Sequence, residues 1–533
     1  MTDGEYILPR VQNSHNGTNH VSIIDMETAT AVEKRSASET VAVARKAFNS
    51  GKTVPYEFRL QQLKNLKRFM EENGKEICNT LYADFRKPQQ ECYVLEIDFM
   101  IAKADHIIKN LKSWMKPEKP DKPLINFFDN LRIYSDPLGV VLVLGAWNYP
   151  LNLTLGPVLG AIAAGNCCII KPSDVSVHTS QFFFDNLPRY IDKECYPVVL
   201  GGIPETTDLL KERFDYIFYT GSTQVGKIVH KAAAKHLTPC TLELGGKSPT
   251  FIDSTADIAM ATKRILWGKF SNCGQTCVAP DYLLCTQEVQ EKFLQHAEKY
   301  IKEAFGSNIK QSKDLARIIN ERSFIRICNL LRNQKIAFGG NVDAQELYIS
   351  PTILVDVKPD DDIMKEEIFG PVLPIVIVKD AQEAVNLINS KEKPLAMYVF
   401  TKNQKIKDLF LTKTSSGGVC INDTMMHLAV EYLPFGGVGN SGMGSYHGKK
   451  TFDTFVHKKS VLLRTFNPIN EKTQEMRYPP YSEKHTKLLR MAFNIFNRHV
   501  SVKRFLTYSL VFGLGVAVTV GGFFVKKHFD DKK

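Results

Sequence analysis

The sequence predicts an α/β fold built on parallel sheets, and three observations carry that prediction. Between residues 36 and 465 the apolar segments alternate as strand, helix, strand, helix, the order expected when helices cover a parallel sheet. Residues 138–146 form an unbroken apolar run, as a strand buried on both faces requires, and Asn148-Tyr149-Pro150 closes it with turn formers. A glycine-bearing turn, Thr220-Gly221-Ser222-Thr223-Gln224-Val225-Gly226, follows a strand-like run at 216–219 and opens a helical pattern over 225–235. With 533 residues, 44% of them hydrophobic and 23% charged, the chain has the composition of a folded body. Its length suits about two to four domains.

Taken in order, residues 1–35 are polar and rich in Asn, Ser and Thr, and are expected to be a disordered extension. The run at 138–146 is the first strand, and 153–164 follows with helical length. Further strands are expected at 167–170, 196–200 and 216–219, then the helix over 225–235 and a strand at 241–244. This is the layout of a dinucleotide-type α/β domain. From 484 to 500, Leu488, Met491, Ala492, Ile495, Phe496 and Val500 recur at helical spacing among Lys487, Arg490 and Arg498, an amphipathic helix. Residues 505–525 carry no charge over 21 positions, which as a helix span about 31 Å, close to the hydrocarbon core of a bilayer. Lys503-Arg504 and Lys526-Lys527 flank that run, so a C-terminal transmembrane anchor with a basic tail at 526–533 is expected.

The charge balance argues against nucleic acid. Of the net +11, residues 466–533 hold +7, with 12 Lys or Arg against 5 Asp or Glu, and the other 465 residues share +4. The eleven cysteines show neither a C-x-x-C pair nor a His/Cys cluster at metal spacing, so reduced thiols and no metal site are expected. The first residues lack the basic and apolar regions of a signal peptide. A catalytic body in the cytosol is therefore the expectation.

Cys277 stands in Gly-Gln-Thr-Cys, 34 residues after Glu243 in Leu-Glu-Leu-Gly-Gly-Lys. A thiol of pKa ~8.5 is only a few per cent thiolate at pH 7, yet it is the strongest ordinary side-chain nucleophile toward a carbonyl carbon. A carboxylate beside it could activate water. The turn at 221–228 matches G-x-x-x-x-G-K, but Ile228 stands where a hydroxyl must hold Mg²⁺, which argues against a nucleoside-triphosphate loop. The other reading is a dinucleotide whose pyrophosphate lies at the N-terminus of the following helix, although the turn departs from G-x-G-x-x-G. Cys273, four residues before Cys277, is either a small wall residue or a disulfide partner.

Trp147-Asn148-Tyr149-Pro150, Lys171-Pro172-Ser173, the Gly221 turn, Glu243-Leu244-Gly245-Gly246-Lys247, Cys277 and Glu366-Glu367-Ile368-Phe369-Gly370-Pro371 occur in this order. As an ordered set they make residues 38–465 resemble the aldehyde dehydrogenase family. Residues 437–448 and the apolar tail resemble its class 3 branch of membrane-bound fatty aldehyde dehydrogenases. The resemblance implies a Rossmann-like NAD-binding domain at 36–243 with a bridging β element near 125–137. It also implies a catalytic domain at 244–424 and oligomerisation strands at 425–465. Cys277 would be the nucleophile, Glu243 the general base and Asn148 an oxyanion donor. Lys171 would bind the adenosine ribose, and Gly221, Ser222 and Gly226 would form the pyrophosphate turn. Glu367 and Phe369 would fix the nicotinamide ribose. Asp174 replaces the Glu usual in class 3 members, and a carboxylate there repels a 2′-phosphate, so NAD is expected over NADP.

The resemblance and the anchor together imply a homodimer that oxidises medium- to long-chain fatty aldehydes at a membrane surface. The endoplasmic reticulum is the first expectation, with the outer mitochondrial membrane or peroxisome as alternatives. Two rival classes are a cysteine hydrolase, for which none of the 13 His stands in a papain-type motif, and a non-catalytic membrane-anchored scaffold. The scaffold would have no use for Cys277 and Glu243.

Overall fold

Buried β-branched and apolar runs set the strands of the computed structural model. The structure describes residues 35–496 apart from 124, 125, 127 and 128, and residues 507–521 apart from 513, 515 and 517. The expected extension, all but its last residue, and the expected basic tail at 526–533 lie outside the described residues, as do parts of the expected anchor and of the helix at 484–500. In chain order the strands are β1 (Asn130–Pro137), β2 (Val140–Leu144), β3 (Cys167–Lys171), β4 (Tyr216–Gly221), β5 (Cys240–Leu244), β6 (Pro249–Ile252), β7 (Tyr282–Cys285) and β8 (Lys335–Phe338). They continue as β9 (Val342–Asp343), β10 (Tyr348–Ile349), β11 (Thr352–Val355), β12 (Val372–Ile377), β13 (Ala396–Phe400), β14 (Gly418–Ile421), β15 (Gly442–Met443) and β16 (Val456–Leu463).

Two larger sheets result. The first runs β15-β5-β4-β2-β3, and its four long strands are parallel, with Val141 beside Cys168 and Tyr216. β2 and β3 are buried at every position, which is why they read as unbroken apolar runs. Helix Pro150–Ala164 starts on a proline, whose missing N–H costs nothing there, and stops at Gly165 with φ of 89°. The second sheet runs β14-β13-β6-β7-β12-β11-β8 and is parallel except for β8 at its edge. β1 and β16 form a separate antiparallel ribbon, Asn130 opposite Leu463.

The strand expected at 196–200 does not form. That segment meets β3 through one bridge, Ile170 with Val198. Ile170 N–H donates to the Pro197 carbonyl and Val199 N–H to the Ile170 carbonyl, both at 2.9 Å, but Pro197 has no N–H to extend the ladder.

Topology places the functional residues. In an open parallel sheet ligands bind beyond the carboxyl ends of the strands. There the chain leaves β2 toward Asn148, β3 at Lys171, β4 at Gly221 and β5 at Leu244. The connection from Leu244 to Pro249 is short, so the carboxyl end of β5 abuts the amino end of β6. Cys277 precedes β7 and Glu367 precedes β12, at the amino ends of the second sheet. The two sheets meet at these segments: Asn148 bonds the Gln275 carbonyl, and Gly245 lies against the Glu367 carboxylate.

The segment Glu483–Phe496 is helical. Among the described residues no helix is long and apolar enough to cross a membrane. The described residues of 507–521 are helical and exposed.

Candidate active site

Cys277 sits half-buried on a turn, where Ala279 N–H donates to the Thr276 carbonyl at 2.9 Å before the chain enters β7. The turn follows a short helical segment, Ser271–Gly274, in which Asn272 and Cys273 adopt φ of 54° and 55°. Left-handed backbone at non-glycine residues persists only where neighbours hold it. Here the amide of Asn272 donates through Nδ2 to the carbonyls of Asn148 at 2.9 Å and Gln275 at 3.1 Å. Gln275 donates to the carbonyls of Asn272 and Arg317, at 3.1 and 2.9 Å, and accepts from Ile319 N–H at 3.0 Å. Asn148 donates one Nδ2 hydrogen to the Gln275 carbonyl at 3.0 Å. An amide nitrogen carries two hydrogens, so the second is free for an incoming oxygen.

Burial pushes the Cys277 thiol up, the charges of Glu367 and Glu243 push it further, and the backbone N–H groups of Cys277 and Val278 pull it down. The resting sulfur is therefore a thiol with two carboxyl groups facing it. Glu243 is only 3% exposed and neither of its oxygens has a hydrogen-bond partner, and burial holds its carboxyl well above the usual range. Glu367 is raised to about 8, by burial first and then by Asp281, while the Gly246 N–H and the charges of Lys247 and Lys269 lower it. Burial thus raises all three groups, the thiol and both carboxyls, above their ordinary values, as at sites that exchange protons.

Glu367 is held by its backbone. Arg326 donates to its carbonyl at 3.1 Å and to that of Ile368 at 2.6 Å. Lys247 bonds the carbonyls of Ile363 and Glu366, both at 2.9 Å, and pairs with Asp281, which accepts Ile368 N–H at 3.1 Å. Phe369 follows with φ of 50° and its ring edge-on to Trp147 at 5.4 Å.

The expected cofactor residues line the carboxyl edge of the first sheet. Ser222 caps helix Thr223–Ala234, its Oγ accepting Val225 N–H at 3.4 Å, so the helix N-terminus opens where β4 ends. Gly226 lets that helix lie on β5, since a Cβ there would stand 2.7 Å from Leu244 Cδ2. Lys171 is buried, which lowers its pKa, while Asp174 and Glu205 raise it; its Nζ bonds the Pro172 carbonyl at 3.1 Å. A Cβ on Gly245 would overlap the Glu367 carboxylate, leaving backbone as the only surface that fits. A helix N-terminus, a buried ammonium beside carboxylates and glycine-only surfaces are the donor set that a dinucleotide needs.

Sequence reasoning passed over several neighbours. His447 is buried with Nε2 3.3 Å from Lys103 Nζ, and burial holds its imidazole well below its ordinary value. Lys269 is fully buried, its ammonium unbonded and 3.9 Å from Asp281, and burial lowers it to about 8. Lys87 and Glu96 form a fully buried pair at 2.8 Å. A lysine inside Trp-Gly-Lys-Phe, among apolar residues, was a visible signal for Lys269; no spacing announced the other two. All eleven cysteines are free, Cys273 included.

Comparison with known proteins identifies the family. The model of the aldehyde dehydrogenase family matches residues 11–461. The dimeric NADP-preferring aldehyde dehydrogenase of Rattus norvegicus is 53% identical over 445 residues, 84% of this chain and 98% of that protein. Aldehyde dehydrogenase family 3 member A2 of Mus musculus is 52% identical over 439 residues, 82% of this chain and 90% of that one. The solved structure of Staphylococcus aureus AldH in its substrate-bound state superposes with a TM-score of 0.83 at 41% identity, over 86% of this chain and 99% of that one. The thiol, the paired carboxyls and the amide-lined turn are thus carried by a chain that belongs to the aldehyde dehydrogenase family.

Proposed function

We propose that this enzyme oxidises medium- to long-chain aliphatic aldehydes to carboxylic acids with NAD, through a thioester on Cys277. The observation that supports it best is what acts on the sulfur: the backbone N–H groups of Cys277 and Val278 and the charges of Glu367 and Glu243, with the Asn148 amide bonded to the same turn. The thiol gives its proton to a carboxylate facing it, and Sγ attacks the aldehyde carbon. The carbonyl electron pair moves to oxygen, where the free hydrogen of Asn148 Nδ2 and the Cys277 N–H hold it. When bound, the nicotinamide supplies the two-electron acceptor that turns this thiohemiacetal into a thioester. Glu243 then takes a proton from water as the water attacks the thioester carbon, and Cys277 leaves as thiolate. Lys171, the Gly221–Ser222 turn and Gly226 would hold the adenosine and pyrophosphate portions, and Glu367 with Phe369 the nicotinamide ribose. The carboxylates of Asp174 and Glu205 around Lys171 favour an unphosphorylated ribose.

The 21-residue uncharged run at 505–525 supports a membrane anchor, with the catalytic body in the cytosol, first at the endoplasmic reticulum. A long-chain aldehyde gains about 0.8 kcal/mol per buried CH₂ in a bilayer, so an anchored enzyme meets it concentrated. The word dimeric in the rat relative's name supports a homodimer. The outer end of β16, with Leu462 and Leu463 exposed, offers it an apolar surface. The test is NADH formation with saturated aldehydes of about six to eighteen carbons, on the full chain and on one ending before Phe505. Activity that rises with chain length, and falls selectively for the longest substrates on truncation, is expected. Absence of NADH from every aldehyde sinks the proposal.

A further inference from the structure

The turn that presents Asn148 and Cys277 rests on a carboxylate that the reaction above leaves unused. Glu91 Oε2 accepts the backbone N–H of Asn272 at 2.8 Å, at the residue where the chain turns left-handed. Asn272 reaches the other way with its side chain, to the carbonyls of Asn148 and Gln275. The Gln275 carbonyl in turn accepts the Asn148 amide. Three hydrogen bonds therefore link Glu91, through Asn272 and the Gln275 carbonyl, to the side-chain amide of Asn148.

We propose that Glu91 is a positioning residue of the oxyanion hole, acting through Asn272 on Asn148 and on the Cys277 turn. The inference rests on the roles of Cys277 and Asn148 proposed above. The segment that carries Glu91 supports the other flank too. Glu91 lies on the short helix Gln89–Cys92, which runs into a π-helical turn, Tyr93–Ile97. From that turn Glu96 Oε2 accepts the N–H groups of Leu151 and Asn152, at 3.0 and 3.1 Å, at the start of the helix that follows Asn148. Its partner Lys87 stands 3.8 Å from the centre of the Tyr149 ring, and Tyr149 Oη bonds Thr276 Oγ1 at 2.9 Å. The two peptide segments that meet at the sulfur are thus tied to one stretch, residues 87–96.

Glu91 also couples the turn to pH. Burial raises its carboxyl to about 7, with Asp314 adding and with Lys87 and the Asn272 N–H subtracting; Tyr149 and Cys273 are the other titratable groups that face it. An ionised carboxylate is the stronger acceptor, so its hold on Asn272 tightens as pH rises through that value.

The experiment compares the full-length protein with Glu91→Ala and Glu91→Gln. It reads kcat and KM for NADH formation, cofactor-free hydrolysis of p-nitrophenyl acetate, and the pH profile of the ester reaction. Glu91→Ala is expected to lower kcat in both reactions about ten-fold with KM for NAD unchanged. Glu91→Gln keeps the size and an acceptor oxygen, so it returns to within about three-fold of wild type while losing the limb near neutral pH. Equal rates for Glu91→Ala and wild type, a loss confined to KM for NAD, or the same ester profile in wild type and Glu91→Gln would each overturn the proposal. Should Glu91→Ala fail to fold, the Glu91→Gln profile decides. A wild-type protein that turns over neither aldehyde nor ester would count against the proposed function instead, so the two failures read differently.

Discussion

On one side of Cys277 the amide nitrogens of Asn148, Asn272 and Gln275 are buried and all donate; on the other, Glu243 is buried with neither oxygen bonded and Lys269 with its ammonium unbonded. An unmet polar group inside a protein costs on the order of 1–3 kcal/mol; on the first wall the amide nitrogens are met and Asn272 Oδ1 is not, whereas on the second the charge-bearing atoms themselves are unmet. The contrast follows from what each wall must do. Donors aimed at a developing charge act best when fixed beforehand. A base must gain and lose a proton, and hydrogen bonds to its charged form would pull its pKa down and blunt it. One wall holds its donors in place through hydrogen bonds, and the other leaves its base unbonded.

The largest test of this contrast removes what both walls face. Cys277→Ala should lower aldehyde oxidation and ester hydrolysis by at least about 10⁴-fold with little change in Tm. Residual thioester chemistry would show that another group is the nucleophile. The next two variants separate the walls. Asn148→Ala should cost about 10²–10³ in kcat and slow the first-turnover burst of NADH, because the amide donors act when the oxyanion forms. Glu243→Gln should cost about 10² at steady state while the burst survives, because Glu367 still faces the thiol. A burst lost in Glu243→Gln and kept in Asn148→Ala would invert the assignment. The smallest effect concerns stability. The fold favours protonated Glu367, so between 4.5 and about 8 the folded chain holds a proton that the unfolded chain has lost, and stability falls as pH rises through that window. Glu367→Gln removes this slope, and its Tm advantage over wild type should grow by about 2 °C or more from the acid to the alkaline end. A constant difference would mean that the carboxyl is ionised throughout.

The first sheet was legible because its strands are mostly apolar and buried at nearly every position, and β2 to β5 fall where the runs at 138–146, 167–170, 216–219 and 241–244 lie. Residues 196–200 have the same apolar character, but Pro197 removes a donor that composition does not weigh. Cys277, Glu243 and Asn148 were legible as an ordered set. The supports were not: Glu91, Lys87 and Glu96 act through a π-helical turn, one buried ion pair and one part-buried hydrogen bond, none of which leaves a period or a spacing in the sequence. Nor does a residue name reveal that Cys273 is left-handed: Asn272 is of a type that tolerates such backbone, and Cys273 is not.

The ribbon of β1 and β16 has a consequence for how the enzyme comes to exist. Asn130 waits for Leu463, about 330 residues later in the chain, and β5, which carries Glu243, is completed on one side by Gly442. At about 5–20 residues per second, translation leaves β1 without its partner for roughly 20 seconds to a minute. In the later part of that interval the nascent chain holds Cys277 but not the strand that closes beside its base. Newborn copies therefore pass through a stage in which the thiol exists without a finished catalyst, and the last strands to be made are the ones that end it.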